Sequence, residues 1–286
     1  HAFQYYVPTE IVFGAGSVSK LPELLKKRKL SRVLVVYGGS SARKSGLLDR
    51  VFQLLEKAGV SYQTLGGVQP NPRVALAREG VKLALSFGAE LILAVGGGSV
   101  IDTCKAIAHG AANPETDLWE FWKKRAVLTR SMPVGVVLTI PAAGSEMSDS
   151  SVITKEEENK KRGYNSDLCR PRFAVMNPAL TMTLPDYQTA CGCTDIMMHT
   201  MERYFNMSED MELTDGISEA LIKTVMKHSK ILKEHPDCYE SRAEVMWASS
   251  LSHNGLTGCG TDGGDWACHQ LEHEIGGMFD VAHGAG

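Results

Sequence analysis

The sequence predicts an α/β domain with a mostly parallel sheet over residues 1–185, followed by an all-α domain over residues 186–286. In the first part, apolar β-branched runs alternate with helical segments, as in a sheet whose strands are buried on both faces. After Pro185 the apolar spacing is helical throughout, and we predict no strand there. A chain of 286 residues is long enough for two domains.

Each element follows from a local pattern. The predicted strands of the first part are apolar runs that end at turn residues, namely TEIVFG, RVLVVY (32–37), LILAVGGGS (91–99), VGVVLTIPAAGSE (134–146) and FAVMNP. Helices are predicted from a cap at Ser17 through Arg28, near 45–58, near 73–87 and after Ser99, and SVITKEEENKKRGYNS is predicted to be a hairpin. In the second part the predicted helices lie near 187–206, 210–233, 239–255 and 265–276.

Composition excludes several classes of partner. The chain is 43% hydrophobic and 22% charged, as in an ordinary globular protein. Its net charge of −3 gives no basis for binding nucleic acid or an anionic membrane. No apolar run reaches the roughly 18 residues of a membrane span. The seven cysteines form no paired framework, so we expect reduced thiols and a cytoplasmic location.

Three glycine- or hydroxyl-rich loops follow predicted strands. In GGGS (96–99), glycines would let backbone N–H groups approach phosphate oxygens at a helix N-terminus. The alternative is a tight turn, with Ser99 and Asp102 forming a capping box. TIPAAGSE (139–146) is a second such loop. Since strand carboxyl ends in an open α/β sheet border one crevice, we expect these loops to meet there.

The third loop, GGSSARK (38–44), bears on the choice of cofactor. An acidic residue at this point of a dinucleotide-binding fold holds the ribose hydroxyls, whereas a cation accommodates a 2′-phosphate. Here no acid is present, and Arg43 and Lys44 follow the hydroxyls. The loop therefore favours NADP(H) over NAD(H). The alternative interpretation is a solvated turn.

Five residues with metal-binding chemistry lie in the second part. Asp195 and His199 are four apart, as are His269 and His273, so each pair shares one face of a predicted helix. His283 follows a Gly-Gly break and precedes Gly284. A carboxylate and several imidazoles suit a divalent transition metal. Spacing alone leaves open which of the three later histidines bind it. Other histidines, including His253, are interpreted as core or surface residues.

The sequence ends at HGAG, three residues after His283. A metal ligand this close to a natural terminus would be poorly held, because termini fray. We therefore expect that the chain is truncated and that further helical structure follows Gly286.

Together these motifs resemble those of one family. GGGSVIDTCKAIA, TIPAAGSEMS, the D-x3-H of Asp195 and His199, and the H-x3-H-x9-H that ends at His283 resemble the iron-containing (group III) alcohol dehydrogenases. YGGSS, NPALTMTLP and DWACHQLEHE are most similar to the NAD(P)H-dependent butanol dehydrogenase and broad aldehyde reductase branch, although YGGSS has a serine where a third glycine is common. The resemblance covers the whole chain. It implies a Rossmann-like, dehydroquinate synthase-like dinucleotide-binding domain followed by an all-α metal-binding domain.

The resemblance also implies roles for individual residues. It places the metal ligands, for Fe²⁺ or Zn²⁺, at Asp195, His199, His269 and His283. It places His273 near the nicotinamide as the catalytic, proton-relay or substrate-side group. The implied cofactor-binding residues are Gly38, Gly39, Ser40, Gly97, Gly98, Ser99, Asp102, Thr139, Ser145 and Leu180, with Asn71 nearby.

The implied activity is reversible hydride transfer between NAD(P)H and a primary alcohol/aldehyde pair of the butanol type, with the metal as a Lewis acid. The partner is then a small-molecule alcohol or aldehyde, without nucleic acid or membrane, and we predict a homodimer. Two alternatives are a non-redox NAD/zinc carbocyclic synthase of the dehydroquinate synthase type and a non-catalytic nucleotide-binding fragment. The synthase would need additional cations in the helical domain for a phosphorylated substrate, and the surroundings of LEHEIGG and TDIMMH offer few.

Overall fold

The computed structural model describes residues 2–39, 41–208 and 211–286. The strands in this part of the chain are β1 (Glu10–Phe13), β2 (Arg32–Tyr37), β3 (Ser61–Leu65), β4 (Leu91–Gly96), β5 (Val134–Leu138), β6 (Ser150–Lys155), β7 (Lys160–Asn165) and β8 (Phe173–Met176). The helices are α1 (Leu21–Lys27), α2 (Ser41–Lys44), α3 (Leu47–Lys57), α4 (Val74–Phe87), α5 (Gly98–Ala112), α6 (Trp119–Trp122), α7 (Asp186–Tyr204), α8 (Glu212–Glu234), α9 (Tyr239–His253) and α10 (Ala267–Phe279).

Six parallel strands form one sheet in the order β1-β8-β5-β4-β2-β3. Because β3 lies on one side of β2 and β4 on the other, the direction of winding reverses between β2 and β4. Open α/β sheets bind ligands at this switch point, beyond the carboxyl ends of the strands. The loops after Tyr37 and Gly96 begin at that point. The sheet therefore places two of the three predicted loops side by side.

The central strands are buried on both faces. In β2, Val33 and Val35 pack against α1 and α3, whereas Leu34 and Val36 pack against the opposite layer around α4 and α5. This alternation follows from the two-residue period of a strand. Helices on both sides explain why RVLVVY is a continuous apolar run.

The second part is helical. Helices α7, α8 and α9 pack around a small apolar core that includes Ile196, Val225 and Val245. Helix α10 instead lies on strand β7 of the antiparallel β6–β7 hairpin. Strands end at Met176 and the long helices begin at Asp186; the domain boundary at residue 185 stays a proposal. No helix among the described residues combines the length and the apolar character needed to cross a membrane.

One predicted helix cap is wrong, and a second cap that was given as an alternative interpretation does not form. Ser17 begins a 3₁₀ turn, Ser17–Lys20, and α1 starts only at Leu21, where Pro22 in the first turn supplies a fixed φ. The Ser17 hydroxyl is buried without a hydrogen-bond partner among the described residues. Helix α5 begins at Gly98 with no side-chain cap. The capping box of Ser99 and Asp102, the alternative interpretation of GGGS, does not form, because the Asp102 carboxylate binds elsewhere.

Candidate metal centre and cofactor crevice

A cavity of about 820 Å³ lies between the carboxyl end of the sheet and the helices of the second part. It brings together nearly all the predicted site residues: Gly38, Gly39, Asn71, Gly97, Gly98, Ser99, Asp102, Thr139, Ser145, Asp195, His199, His269, His273 and His283. Ser40 lies outside the described residues. Leu180 is not among the described lining residues; it packs against the core beside α1 and α3.

The glycines after β4 leave room for a close approach of the backbone. A Cβ at Gly97 would lie 2.9 Å from Cβ of Ile140, and one at Gly98 would lie 3.1 Å from Cβ of Ala143. Both neighbours belong to the loop after β5, so the two loops touch at this point. The first turn of the 15-residue helix α5 opens on the same cavity. Free N–H groups and the helix dipole there favour a phosphate group.

Asp102 and Ser145 are bonded to each other. The Ser145 hydroxyl donates to Asp102 Oδ1 at 2.6 Å, and the backbone N–H of Val152 donates to Asp102 Oδ2 at 2.9 Å. Burial raises the pKa of Asp102, while Lys105 and these hydrogen bonds oppose that shift. The carboxylate thereby joins helix α5 to the β5 loop and to the hairpin at the edge of the cavity.

A cation lies at the end of β2. Arg43 Nη2 donates to the Tyr37 hydroxyl at 2.5 Å, and the Arg43 guanidinium lies 5.4 Å from the centre of the Tyr37 ring. The ring in turn fills the space beside Gly66, where a Cβ would lie 2.6 Å from it. Gly38 and Gly39 of the same loop line the cavity. Tyr37 therefore holds Arg43 next to Ser41 and Ala42, which line the cavity, although Arg43 is not itself among the described lining residues.

Four potential donors meet at one end of the cavity. Asp195 and His199 come from one face of α7, His269 from the first turn of α10, and His283 from the segment after α10. His199 Nδ1, His269 Nε2 and His283 Nε2 lie 3.6, 3.6 and 3.2 Å from Asp195 Oδ1. One donor atom from each of the four residues lies within 4.8 Å of the others.

This arrangement is compatible with a metal ion. Donors about 2.1 Å from a common ion are separated from their neighbours by about 3 to 3.5 Å. His199 Nδ1 is buried and has no hydrogen-bond partner among the described residues. A buried nitrogen without a partner is costly unless a ligand or ion satisfies it. One carboxylate and three imidazoles are also the donors that iron and zinc accept.

The electrostatics of the cluster favour a cation. Burial raises the pKa of Asp195, but the positive charge of His283 and the hydrogen bonds from His269 and His283 outweigh it and hold that pKa well below its usual value. Burial lowers the pKa of His199 to about 3, so this ring is neutral. Burial also lowers the pKa of His283, yet Asp195 and Glu272 raise it overall to about 9. The carboxylates thus draw positive charge to the position where the donors meet.

His273 lines the cavity without belonging to the four-residue cluster. Its ring centre lies 6.0 Å from that of His283. Burial lowers its pKa to about 4, and Lys161 and His283 add to the shift. A second group with metal-binding chemistry, Glu272, His273 and His283, shares His283 with the first.

Several side chains at the centre were missed by sequence reasoning. Glu202 accepts hydrogen bonds from His269, Glu272 contacts His283, and Lys161 from β7 contacts Glu272. Glu202 lies seven residues after Asp195, so helical periodicity would have placed it on the same face of α7. No local pattern could have placed Lys161 beside a residue 111 positions away.

His253 also lies at the centre rather than in a distant core. Its ring centre is 4.1 Å from that of His199, and it lines the cavity. Buried Arg203 donates to the carbonyl oxygens of His199 and Ser252, and its Nη2 lies 3.0 Å from His253 Nδ1. Since Arg203 only donates, His253 Nδ1 is the acceptor. The Arg203 guanidinium lies 4.4 Å from the centre of the Trp266 ring.

The segment that carries His283 is attached to the α/β part. Asn71 Nδ2 donates to Asp280 Oδ1 at 2.9 Å and to the carbonyl oxygen of Val281 at 3.0 Å. Arg73 Nη2 lies 2.9 Å from Asp280 Oδ2. Asn71 has a φ of 53°, in the left-handed region that asparagine tolerates. The loop before α4 therefore fixes the chain three residues before His283.

Comparison with known proteins identifies the family to which the chain is similar. Residues 8–178 match the family described as iron-containing alcohol dehydrogenase, and residues 189–286 match the C-terminal domain of the Fe-containing alcohol dehydrogenase family. NADH-dependent butanol dehydrogenase A of Clostridium acetobutylicum is 42% identical over 285 residues, covering 100% of this chain and 72% of that protein. NADPH-dependent aldehyde reductase YqhD of Escherichia coli is 39% identical, covering 98% of this chain and 72% of that protein.

Solved structures give the same result. The crystal structure of NADH-dependent butanol dehydrogenase A from Thermotoga maritima superposes with a TM-score of 0.97 at 39% identity, covering 100% of this chain and 71% of that one. The predicted fold class and the predicted oxidoreductase class are confirmed, and the comparisons favour neither alternative. This chain belongs to the iron-containing alcohol dehydrogenase family.

Proposed function

We propose that this chain transfers hydride between NADPH and a primary alcohol/aldehyde pair of the butanol type, with a divalent metal bound at Asp195, His199, His269 and His283. One observation carries the proposal: the four donors and the three strand-end loops line the same cavity. A dinucleotide on the loops and a substrate at the donors would then meet inside one enclosure, as hydride transfer requires.

The proposed role of each residue follows from its position in the cavity. Asp195 and the three histidines would hold Fe²⁺ or Zn²⁺, which when bound supplies Lewis-acid polarisation of the substrate oxygen. Gly97 and Gly98 would let the α5 N-terminus approach the pyrophosphate. The loop after β5 packs against Gly98 of α5 and against Gly192 of α7, so it forms one wall of the crevice beside the proposed donors.

His273 is the proposed catalytic group. It lines the cavity outside the donor cluster, and its lowered pKa of about 4 leaves the ring neutral near pH 7. A neutral imidazole has one N–H that donates and one nitrogen that accepts, so it can pass a proton between substrate oxygen and solvent.

The preference for NADP(H) rests on the end of β2. No carboxylate follows Tyr37, and Arg43 is held there by the Tyr37 hydroxyl. A guanidinium binds a 2′-phosphate through charge-assisted hydrogen bonds. The similar proteins include one named as NADH-dependent and one named as NADPH-dependent, so this preference is a property of the loop to be measured directly.

A coupled measurement of metal and cofactor use tests the proposal. The 286-residue chain, loaded anaerobically with Fe²⁺ or separately with Zn²⁺, is mixed with butyraldehyde and either NADPH or NADH, and nicotinamide absorbance is followed. We expect metal-dependent oxidation, with a higher kcat/KM for NADPH. A dinucleotide that binds without being oxidised by either loaded form would contradict hydride transfer and favour a binding module. A higher kcat/KM for NADH would contradict only the cofactor preference.

Two further properties are proposed. All seven cysteines are free thiols, which supports a cytoplasmic location. We also propose a homodimer, which light scattering coupled to size-exclusion chromatography tests: the mass of one chain, 31.1 kDa, would contradict it.

A further inference from the structure

Two buried carboxylates contact the rings of two proposed metal ligands, each on the side of the ring that faces away from Asp195. Glu202 of α7 is 9% exposed, and Glu272 of α10 is 5% exposed. Glu202 Oε1 lies 3.0 Å from Nδ1 of His269, and Glu272 Oε2 lies 2.5 Å from Nδ1 of His283. In both rings the opposite nitrogen, Nε2, faces Asp195.

We propose that Glu202 and Glu272 are positioning residues that keep the proton of each ring on Nδ1 and direct the lone pair of Nε2 to the metal, and that they thereby set the metal affinity of the chain. This inference rests on the proposed ligand set. A carboxylate on the far nitrogen fixes the tautomer and orientation of a ligating histidine and makes it a stronger donor.

Helix geometry lets one element position a ligand histidine of the next element along the chain. Asp195, His199 and Glu202 lie on one face of α7 at spacings of four and three residues. That face gives two donors and also the carboxylate that holds His269 on α10. Helix α10 in turn supplies Glu272, which holds His283 in the segment that follows. Each element thus orients a histidine of the next one.

Glu202 makes a second contact that restricts the backbone. Its Oε1 also accepts the backbone N–H of His269 at 3.0 Å. His269 is the third residue of α10, and Trp266 before the helix provides no side-chain cap. The N–H groups of a first helical turn have no partner within the helix. Glu202 therefore satisfies one of them and fixes both the ring and the Cα of His269.

Glu272 is held by a buried cation. Lys161 Nζ from β7 lies 3.1 and 2.9 Å from its two carboxylate oxygens. The side chains of Lys161 and Glu272 are only 4% and 6% exposed. A buried carboxylate without such a partner would be strongly unfavourable. The Lys161 contact also attaches the hairpin of the α/β part to the outer side of the metal centre.

The charges around Glu272 favour a role in positioning His283 over a role as a ligand of a second metal ion. With one divalent ion bound, the ammonium of Lys161 and the buried guanidinium of Arg203 already offset the carboxylates of Asp195, Glu202 and Glu272, so a second divalent ion would add positive charge that no described carboxylate here balances. Both oxygens of Glu272 are already occupied by Lys161, and one of them also contacts His283. A second ion at Glu272, His273 and His283 would have to displace these contacts.

Metal affinity is the direct test. In the 286-residue chain, Glu202 and Glu272 are each replaced singly by glutamine and by leucine. The control is Glu274, an exposed residue of α10, which is replaced by the same two residues. The dissociation constant for Zn²⁺ is measured by chelator competition. The visible absorption of the Co²⁺-loaded chain reports the coordination geometry. Circular dichroism shows whether each variant folds.

The two glutamine variants should differ, because the two glutamates use their oxygens differently. One oxygen of Glu202 accepts both bonds from His269, so Glu202→Gln keeps an acceptor for both but loses the negative charge, and it should weaken Zn²⁺ binding less than Glu202→Leu does. Glu272→Gln turns its NH₂ group toward Lys161 or His283 and should bind Zn²⁺ more weakly. Both leucine variants should weaken binding roughly 10- to 100-fold and alter the Co²⁺ spectrum.

The outcomes separate this inference from the proposed ligand set. If Asp195→Ala binds Zn²⁺ like the parent, the ligand set itself is wrong. If Asp195→Ala loses the metal while folded leucine variants keep the parent affinity and Co²⁺ spectrum, only the positioning role is wrong. If the leucine variants do not fold, Glu272→Gln decides, and unchanged affinity overturns the role of Glu272. Two bound ions per parent chain would also overturn it.

Discussion

Gly192 of helix α7 lies directly against the carbonyl oxygen of Pro141, in the loop after β5. A Cβ at residue 192 would lie 2.6 Å from that oxygen and 3.5 Å from Cβ of Ala142. Asp195 follows less than one helical turn later on the same helix. The absence of a side chain at Gly192 therefore sets the distance between the proposed metal donors and the cofactor loop.

We expect Gly192→Ala to destabilise the protein because the added methyl group collides with backbone. Such overpacking costs about 1–3 kcal/mol, measurable as a lower urea midpoint. The displaced α7 should also weaken metal binding. Gly216→Ala in α8 is the matched control, since no atom lies within 4 Å of its Cβ position. A helical alanine there should raise the free energy of unfolding by about 0.5–1 kcal/mol. Equal effects of the two substitutions would contradict this explanation.

His269 and His273 should differ when each is replaced by alanine. His269 Nε2 faces Asp195, whereas His273 lies outside the four-residue cluster. We expect His269→Ala to lose the metal. His273→Ala should retain it, with kcat lowered roughly 10²- to 10⁴-fold and a changed pH profile. Metal content by mass spectrometry distinguishes them, and exposed His235→Ala is the control. Metal loss in His273→Ala with retention in His269→Ala would reverse the assignment.

Arg43 should determine the preference for NADPH. Arg43→Ala removes a charged donor from the proposed 2′-phosphate site, so kcat/KM for NADPH should fall roughly 10- to 100-fold. Activity with NADH should change little, since NADH has no 2′-phosphate. Steady-state kinetics with both cofactors measure the ratio, and Arg50→Ala on the exposed side of α3 is the control. A parallel loss with both cofactors would show that Arg43 supports the loop rather than the phosphate.

Metal binding should release a proton near neutral pH. The raised pKa of about 9 means that His283 in the metal-free chain is protonated at pH 7, whereas a ligating nitrogen must be unprotonated. Because the group must lose its proton to bind, affinity should rise as the pH increases from 6.5 and level off above about 9. His199, with a pKa of about 3, should contribute no proton. Calorimetry in buffers of different ionisation enthalpy measures the release, and pH-independent affinity would contradict it.

Local periodicity predicted the elements well. The strand predicted at 32–37 is β2, Arg32–Tyr37, and the helix predicted near 187–206 is α7, Asp186–Tyr204. Both signals are repeated over many residues, so a single exception does not obscure them. The start of α1 was wrong because Ser17 resembles a cap in sequence, whereas the α-helix begins at Leu21 with Pro22 in its first turn, where proline is tolerated.

The contacts around the metal centre could not be predicted from local sequence patterns, because they join residues that are distant along the chain. Capping of its own helix was the alternative interpretation for Asp102, whereas its carboxylate binds Ser145 and Val152, which are distant in sequence. Glu272 has the sequence neighbourhood of an exposed helical glutamate, and only its contact with Lys161 explains why it is buried. His253 was interpreted as a core or surface residue because nothing in its segment indicates that its ring lies against His199.

The hydrogen bonds from Asn71 to Asp280 and Val281 have a consequence for metal loading. They make the position of His283 depend on the opposite wall of the crevice, whereas the other three donors belong to two helices of the second part. We expect that widening the crevice would withdraw His283 and leave a three-donor site of lower affinity. The rate of metal loss would then increase with the width of the crevice. A bound nucleotide that draws the two walls together would slow that loss.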